Sequence, residues 1–173
     1  YHSDNDREFW VEGQALFDVK HSSKPGDAAI PFNVHAGIEN ITVLGTSFSV
    51  KSVDSTARII LINGKVKASV RDKSMILKPG EKTEWRDSGF SMETVDTQLY
   101  MSWTDGEFHF NHTSLEALSG LIKDYYGYDL VINNEQALKT KSISGTVTTR
   151  DEAILWKMLA VMFNGEVKKE GTE

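Results

Sequence analysis

The chain has 173 residues, 39% hydrophobic, 25% charged and 10% aromatic, a globular composition that excludes disordered, collagenous and low-complexity classes. Nineteen Lys and Arg against 25 Asp and Glu leave a net charge of −6, the wrong sign for a phosphate-backbone partner. There is no cysteine, which excludes thiol nucleophiles, thiolate zinc, Fe–S clusters and disulfides together. No apolar run approaches the ~20 residues that span a bilayer, and the richest, Ile154 to Phe163, is broken by Lys157. The chain opens at Tyr1 without a signal peptide, which reads as a processed chain or a piece of something longer.

From Glu8 to about Val95 apolar residues recur with period two, interrupted by turn residues, as short strands require. Gly13, Lys24-Pro25-Gly26, Gly37 and Gly45-Thr46 punctuate this half. Arg58–Ile62 and Lys65–Val70 flank Asn63-Gly64, a dipeptide that accepts the positive φ of a type I′ turn and so predicts a hairpin. Alternation in Lys65-Val66-Lys67-Ala68 predicts one wet face. Pro79-Gly80 predicts a second turn before Thr83-Glu-Trp85.

The period then changes. Thr113-Ser-Leu-Glu116 and Thr149-Arg-Asp-Glu152 are both capping boxes, in which the Thr oxygen takes an orphan N–H and the Glu reaches back. Leu115, Leu118, Leu121, Ile122 and Tyr125 follow the first at helical spacing, with Gly127 placed for a C-terminal cap. Ile154, Leu155, Met158, Leu159 and Met162 follow the second. Strand-like segments flank each helix: 107–110 and 128–132 around the first, 142–147 and 166–169 around the second. The expected fold class is α+β. An all-β N-terminal domain at 1–99 (sandwich, roll or short solenoid) and a junction at 100–104 precede a small two-layer α/β domain at 105–173. That second domain carries a β-α-β unit written twice. The first 104 residues hold 12 basic against 14 acidic residues and the rest 7 against 11, so neither half offers a basic face to nucleic acid.

Motifs for phosphate loops, dinucleotide folds, zinc proteases, nucleophile elbows and EF-hands are absent from the sequence. His109 and His112 form the one close histidine pair, but three-residue spacing on a strand sends them to opposite faces. Tyr125, Tyr126 and Tyr128 could stack a sugar or nucleobase, although such a cluster is more often core plus rim. These motifs point to no catalytic residue, no cofactor and no metal, while paired carboxylates of the kind that cleave glycosides stay open, because their spacing is set in three dimensions.

Several segments in order carry a family likeness. Gly13-Gln-Ala-Leu-Phe-Asp-Val19, Pro31-Phe-Asn-Val34 and Val43-Leu-Gly-Thr-Ser-Phe-Ser-Val50 are followed by Leu61-Ile-Asn-Gly-Lys-Val66 and Leu77-Lys-Pro-Gly-Glu81. With Trp103-Thr-Asp-Gly-Glu-Phe-His-Phe110, this set resembles the FecR-like anti-sigma factors. Gln14 and Leu16 depart from that family's Glu and aromatic without disturbing the strand pattern.

The resemblance implies regulation and no enzyme activity, in a periplasmic signal-relay region of a single-pass inner-membrane protein. It would comprise a FecR domain and, as in many Bacteroidetes members, a second domain similar to the secretin and TonB short N-terminal domain. The implied partners are the N-terminal signalling domain of a TonB-dependent outer-membrane transducer and an extracytoplasmic-function sigma factor. The sigma factor would be held through a cytoplasmic region absent from this chain. Neither nucleic acid nor direct membrane contact is expected of this segment. The expected contact is strand-edge pairing at Ser142, Ile143, Ser144, Gly145, Thr146 and Val147, a small, uncharged segment. A competing reading, from the aromatic content, is a secreted glycan-binding or glycan-cleaving β domain.

Overall fold

Positive φ recurs at Gly37, Asp54, Arg71 and Asp87 (57°, 56°, 54° and 54°), which lie 17, 17 and 16 positions apart. Each opens a two-residue turn, because the left-handed region matches the twist of the strands that a tight turn joins. The computed structural model describes residues 7–21, 29–131, 140–148 and 151–163. Its four tight hairpins are β3 (Phe32–Ala36) with β4 (Glu39–Val43), β5 (Thr46–Val53) with β6 (Thr56–Asn63), β7 (Val66–Val70) with β8 (Lys73–Leu77), and β9 (Glu81–Arg86) with β10 (Gly89–Thr94). β1 (Glu8–Val11) and β2 (Gly13–Val19) precede them.

Successive hairpins go to alternate sheets. One sheet runs β1-β3-β4-β7-β8 and the other β10-β9-β6-β5-β2. β1 lies parallel to β3. Inward residues of both sheets meet in one core: Phe32, Val34, Ile41 and Val66 from the first, Phe48, Val50, Ile59 and Leu61 from the second. Burying each such side chain contributes roughly 1.5–3 kcal/mol. The alternation in β7 is as expected, with Lys67 exposed between buried Val66 and Ala68.

The hairpin expected at Asn63-Gly64 does not form. β6 pairs with β5 and β9, whereas β7 pairs with β4 and β8 in the other sheet. Both sides of β6 are already occupied, so the chain crosses over instead of folding back. Gly64 does take positive φ (93°), but for a close approach: a Cβ there would lie 2.7 Å from the Gly45 carbonyl oxygen. Thr46 Oγ1 donates to the Lys65 carbonyl at 2.9 Å, tying this crossover to the neighbouring one between β4 and β5. Pro79-Gly80 is likewise a crossover, from β8 to β9.

Chain contacts divide the molecule into two compact units, Tyr1–Thr97 and Gln98–Glu173. Short helix α1 (Thr97–Met101) and a 3-10 turn (Ser102–Thr104) lead into β11 (Glu107–Ser114). Then come α2 (Leu115–Tyr126), β12 (Ser142–Thr148) and α3 (Glu152–Phe163). β11 and β12 pair antiparallel. α2 buries Leu115, Leu118, Leu121 and Ile122 and ends at Gly127 (φ 80°), whose N–H bonds the Lys123 carbonyl at 3.0 Å.

Three local expectations change in this unit. The α2 cap is Ser114, whose hydroxyl accepts the Ala117 N–H at 3.1 Å. Thr113 stays in β11, buried, and its hydroxyl accepts the Asn111 N–H. Residues 128–131 form no strand: Asp129 is tied back to Lys123 (2.6 Å), and the Tyr128 ring packs edge-on against Trp156 at 5.7 Å. At the second box, Asp151 Oδ1 accepts the Ala153 N–H at 2.9 Å and opens α3. Thr149, Ile132 and the strand expected at 166–169 lie outside the described residues.

Candidate partner-binding surface

β12 has two unlike faces because its side chains alternate. Ile143 and Val147 are buried, while Ser142, Ser144, Gly145 and Thr146 are exposed. On one side it is registered to β11, with Phe108 opposite Val147, His109 opposite Thr146 and Phe110 opposite Gly145. Register then slips by a bulge at Asn111-His112, where His112 takes φ 49°. Ser144 Oγ accepts the His112 N–H at 3.0 Å and so satisfies a donor that the bulge removes from the ladder. Among the described residues β11 is the one strand paired with β12. No segment residue carries a charge, and neither Pro nor Lys blunts the strand.

Both histidines of the close pair have hydrogen-bond partners in or beside this sheet. His109 Nδ1 lies 3.2 Å from Thr146 Oγ1, and His112 Nδ1 lies 3.0 Å from Asn111 Oδ1. Among the described residues no group of three or more His, Asp or Glu is placed to hold an ion.

The tyrosines pack on one another and on the core. Phe108 is fully buried and meets Tyr125 edge-on at 5.0 Å, and Tyr126 approaches Trp156 at 6.3 Å. Burial pushes the Tyr125 phenol above its ordinary value, with Tyr126 acting in the same direction. Burial also raises Tyr126, aided by the Glu152 charge. Trp156 Nε1 donates to Glu152 Oε1 at 2.7 Å within the cluster, whereas the buried Tyr126 hydroxyl has no hydrogen-bond partner among the described residues.

One buried acid escaped the sequence pattern. Glu39 opens β4 at 1% exposure and spends Oε1 on two backbone donors, Ala57 N–H (3.1 Å) and Trp85 N–H (3.2 Å). A Glu at a strand start carries no signal of burial, because its partners lie 18 and 46 residues away.

A search of curated proteins finds no significant match. Residues 1–67 match the family model for the FecR protein. The FecR match spans β1 to the start of β7. Two crystal structures of candidate anti-sigma factors from Parabacteroides distasonis ATCC 8503, at 1.65 Å and 2.50 Å, are also similar. Their identities are 22% and 21% and their TM-scores 0.63 and 0.61. Each alignment covers 99% of this chain and 80% of the other. At such identity the likeness concerns the fold, and it runs through both units beyond the FecR match.

Proposed function

We propose that this chain is the signal-receiving region of a FecR-like anti-sigma factor, working by contact and not by catalysis. The observation that carries this reading is the FecR match over residues 1–67. A fold likeness over 99% of the chain to candidate anti-sigma factors supports it. The FecR family is regulatory and non-enzymatic. Among the described residues no helix is long and apolar enough to cross a membrane. In this reading the chain lies in the periplasm, as part of a single-pass inner-membrane protein. Its residues 1–99 are the FecR domain and 105–173 a domain similar to the secretin and TonB short N-terminal one.

The partner is the N-terminal signalling domain of a TonB-dependent outer-membrane transducer, and the outcome is release of an extracytoplasmic-function sigma factor. Ser142, Ile143, Ser144, Gly145, Thr146 and Val147 supply the contact. An incoming strand finds small, uncharged side chains and main-chain groups along β12, while Ile143 and Val147 hold that strand on its own core. Calorimetric titration with the N-terminal signalling domain of the cognate TonB-dependent transducer tests the reading. Saturable binding supports it; no heat at high micromolar concentration overturns it.

A further inference from the structure

We propose that the outward face of the β1-β3-β4-β7-β8 sheet binds a neutral glycan chain, with Trp10 as its stacking platform. The strand registers place Trp10, His35, Asn40, Ser69 and Ser74 side by side as one row across all five strands. In the adjacent row Val34, Ile41 and Ala68 are fully buried, though Phe9 at its β1 end is 47% exposed, and alternation turns the first row outward. At about 4.8 Å per strand, the row is roughly 19 Å long.

Trp10 is 73% exposed, yet its ring has a partner on the sheet. One ring face lies on His35 at 4.9 Å between centroids and 23° between planes. His35 is held in turn by Asn40, whose Oδ1 accepts from Nδ1 at 2.6 Å, and its Nε2 lies 3.8 Å from Glu8 Oε2. An indole ordered before binding loses little entropy when a ligand arrives. Committing Asn40 Oδ1 to His35 leaves the amide N–H groups of this exposed side chain as donors.

The chemistry of the face selects its occupant. The row contains an indole, an imidazole, an amide and two hydroxyls, with no carboxylate or amine. The charges of Glu8 and Lys67 on the next outward row oppose each other. A nucleic acid or anionic membrane needs a basic surface, and a protein hot spot draws on clustered Trp, Tyr and Arg anchors, of which this row holds Trp10 alone. A charge-balanced row of hydrogen-bonding groups beside one aromatic plane matches a polyhydroxylated ring with an apolar C–H face. This face belongs to the first unit and β12 to the second, so the proposal stands apart from the transducer reading.

The test titrates the full chain with cellohexaose, chitohexaose and maltohexaose by calorimetry, after screening on an array of neutral and charged glycans. The expected result is saturable binding of at least one neutral oligosaccharide. Trp10→Ala should weaken it by about tenfold or more, Asn40→Ala less, and Trp10→Phe should retain part. Both positions are exposed, and an unchanged thermal melt confirms that each variant is folded. No neutral glycan bound, binding confined to charged glycans, binding that Trp10→Ala leaves intact, or capture of a protein through Trp10 in place of a glycan would each overturn the proposal.

Discussion

Glu39 Oε1 accepts the Trp85 backbone N–H at 3.2 Å, clipping β4 of one sheet to β9 of the other. The same oxygen takes the Ala57 N–H beside the point where the β6–β9 ladder ends at Arg58 and Glu84. Two donors that would otherwise lack a ladder partner are satisfied by one carboxyl.

That arrangement makes stability depend on pH. Burial pushes the Glu39 carboxyl up from 4.5 to about 7; the nearby Glu84 adds to the rise, against the two N–H donors. The folded state therefore holds the proton more tightly than the unfolded state. Its contribution is full below the unfolded value and is lost as pH climbs through 7, by up to about 3 kcal/mol. Urea melts at pH 5 and pH 8 should show the wild type weaker at pH 8. Glu39→Gln should flatten that slope, and Glu39→Ala should lose roughly 2–4 kcal/mol at both values by stranding two N–H groups. An unchanged slope in Glu39→Gln would assign the pH dependence to other groups.

Gly64→Ala should destabilise the first unit by about 2–4 kcal/mol, from a left-handed φ together with a Cβ forced on the Gly45 carbonyl. Gly89→Ala is the matched control. A Cβ there meets nothing within 4 Å, so its melt should shift by no more than about 0.5 kcal/mol. Equal losses at the two positions would mean that the crossover relaxes around the added methyl.

Gly64 also marks the boundary of what the sequence discloses. Its positive φ is local chemistry and was legible in Asn63-Gly64, but the partner of the strand that follows is not local. Whether β7 folds back on β6 or crosses to β4 is decided by Ile41 and Ala68 meeting across 27 positions. The strand at 142–147 was legible from its composition, and β12 runs one residue further, to Thr148. Residues 128–132 read as a strand because Tyr-Asp-Leu-Val-Ile has strand composition, yet Tyr128 is used for ring packing on Trp156. The row headed by Trp10 was not legible, since it assembles one residue from each of five strands.

The helix cap allows a finer test. Ser114→Ala should cost about 1 kcal/mol in the second unit, the usual loss when a hydroxyl cap is removed. Thr113→Ala should act differently, through a buried side chain within β11 and the Asn111 donor it satisfies. Helical circular dichroism near the melt separates the two. Ser114→Ala should fray α2 early, whereas Thr113→Ala should lower the whole transition. Early fraying in Thr113→Ala would return the cap to Thr113.

The last prediction concerns β12. Ser142→Lys with Thr146→Lys places two long cations on the exposed face of a strand that natural edges protect in this way. Neither side chain is buried, so the melt should move by less than about 1 kcal/mol, apart from the Thr146–His109 contact. Affinity for the transducer signalling domain should fall about tenfold or more, because the side chains of an added strand must lie beside those two cations. A control pair on α2, Glu116→Lys with Lys123→Glu, preserves net charge at two exposed sites and should leave binding unchanged. If the β12 pair binds as the wild type does while the α2 pair does not, the contact belongs to the helix face and strand addition is the wrong mode.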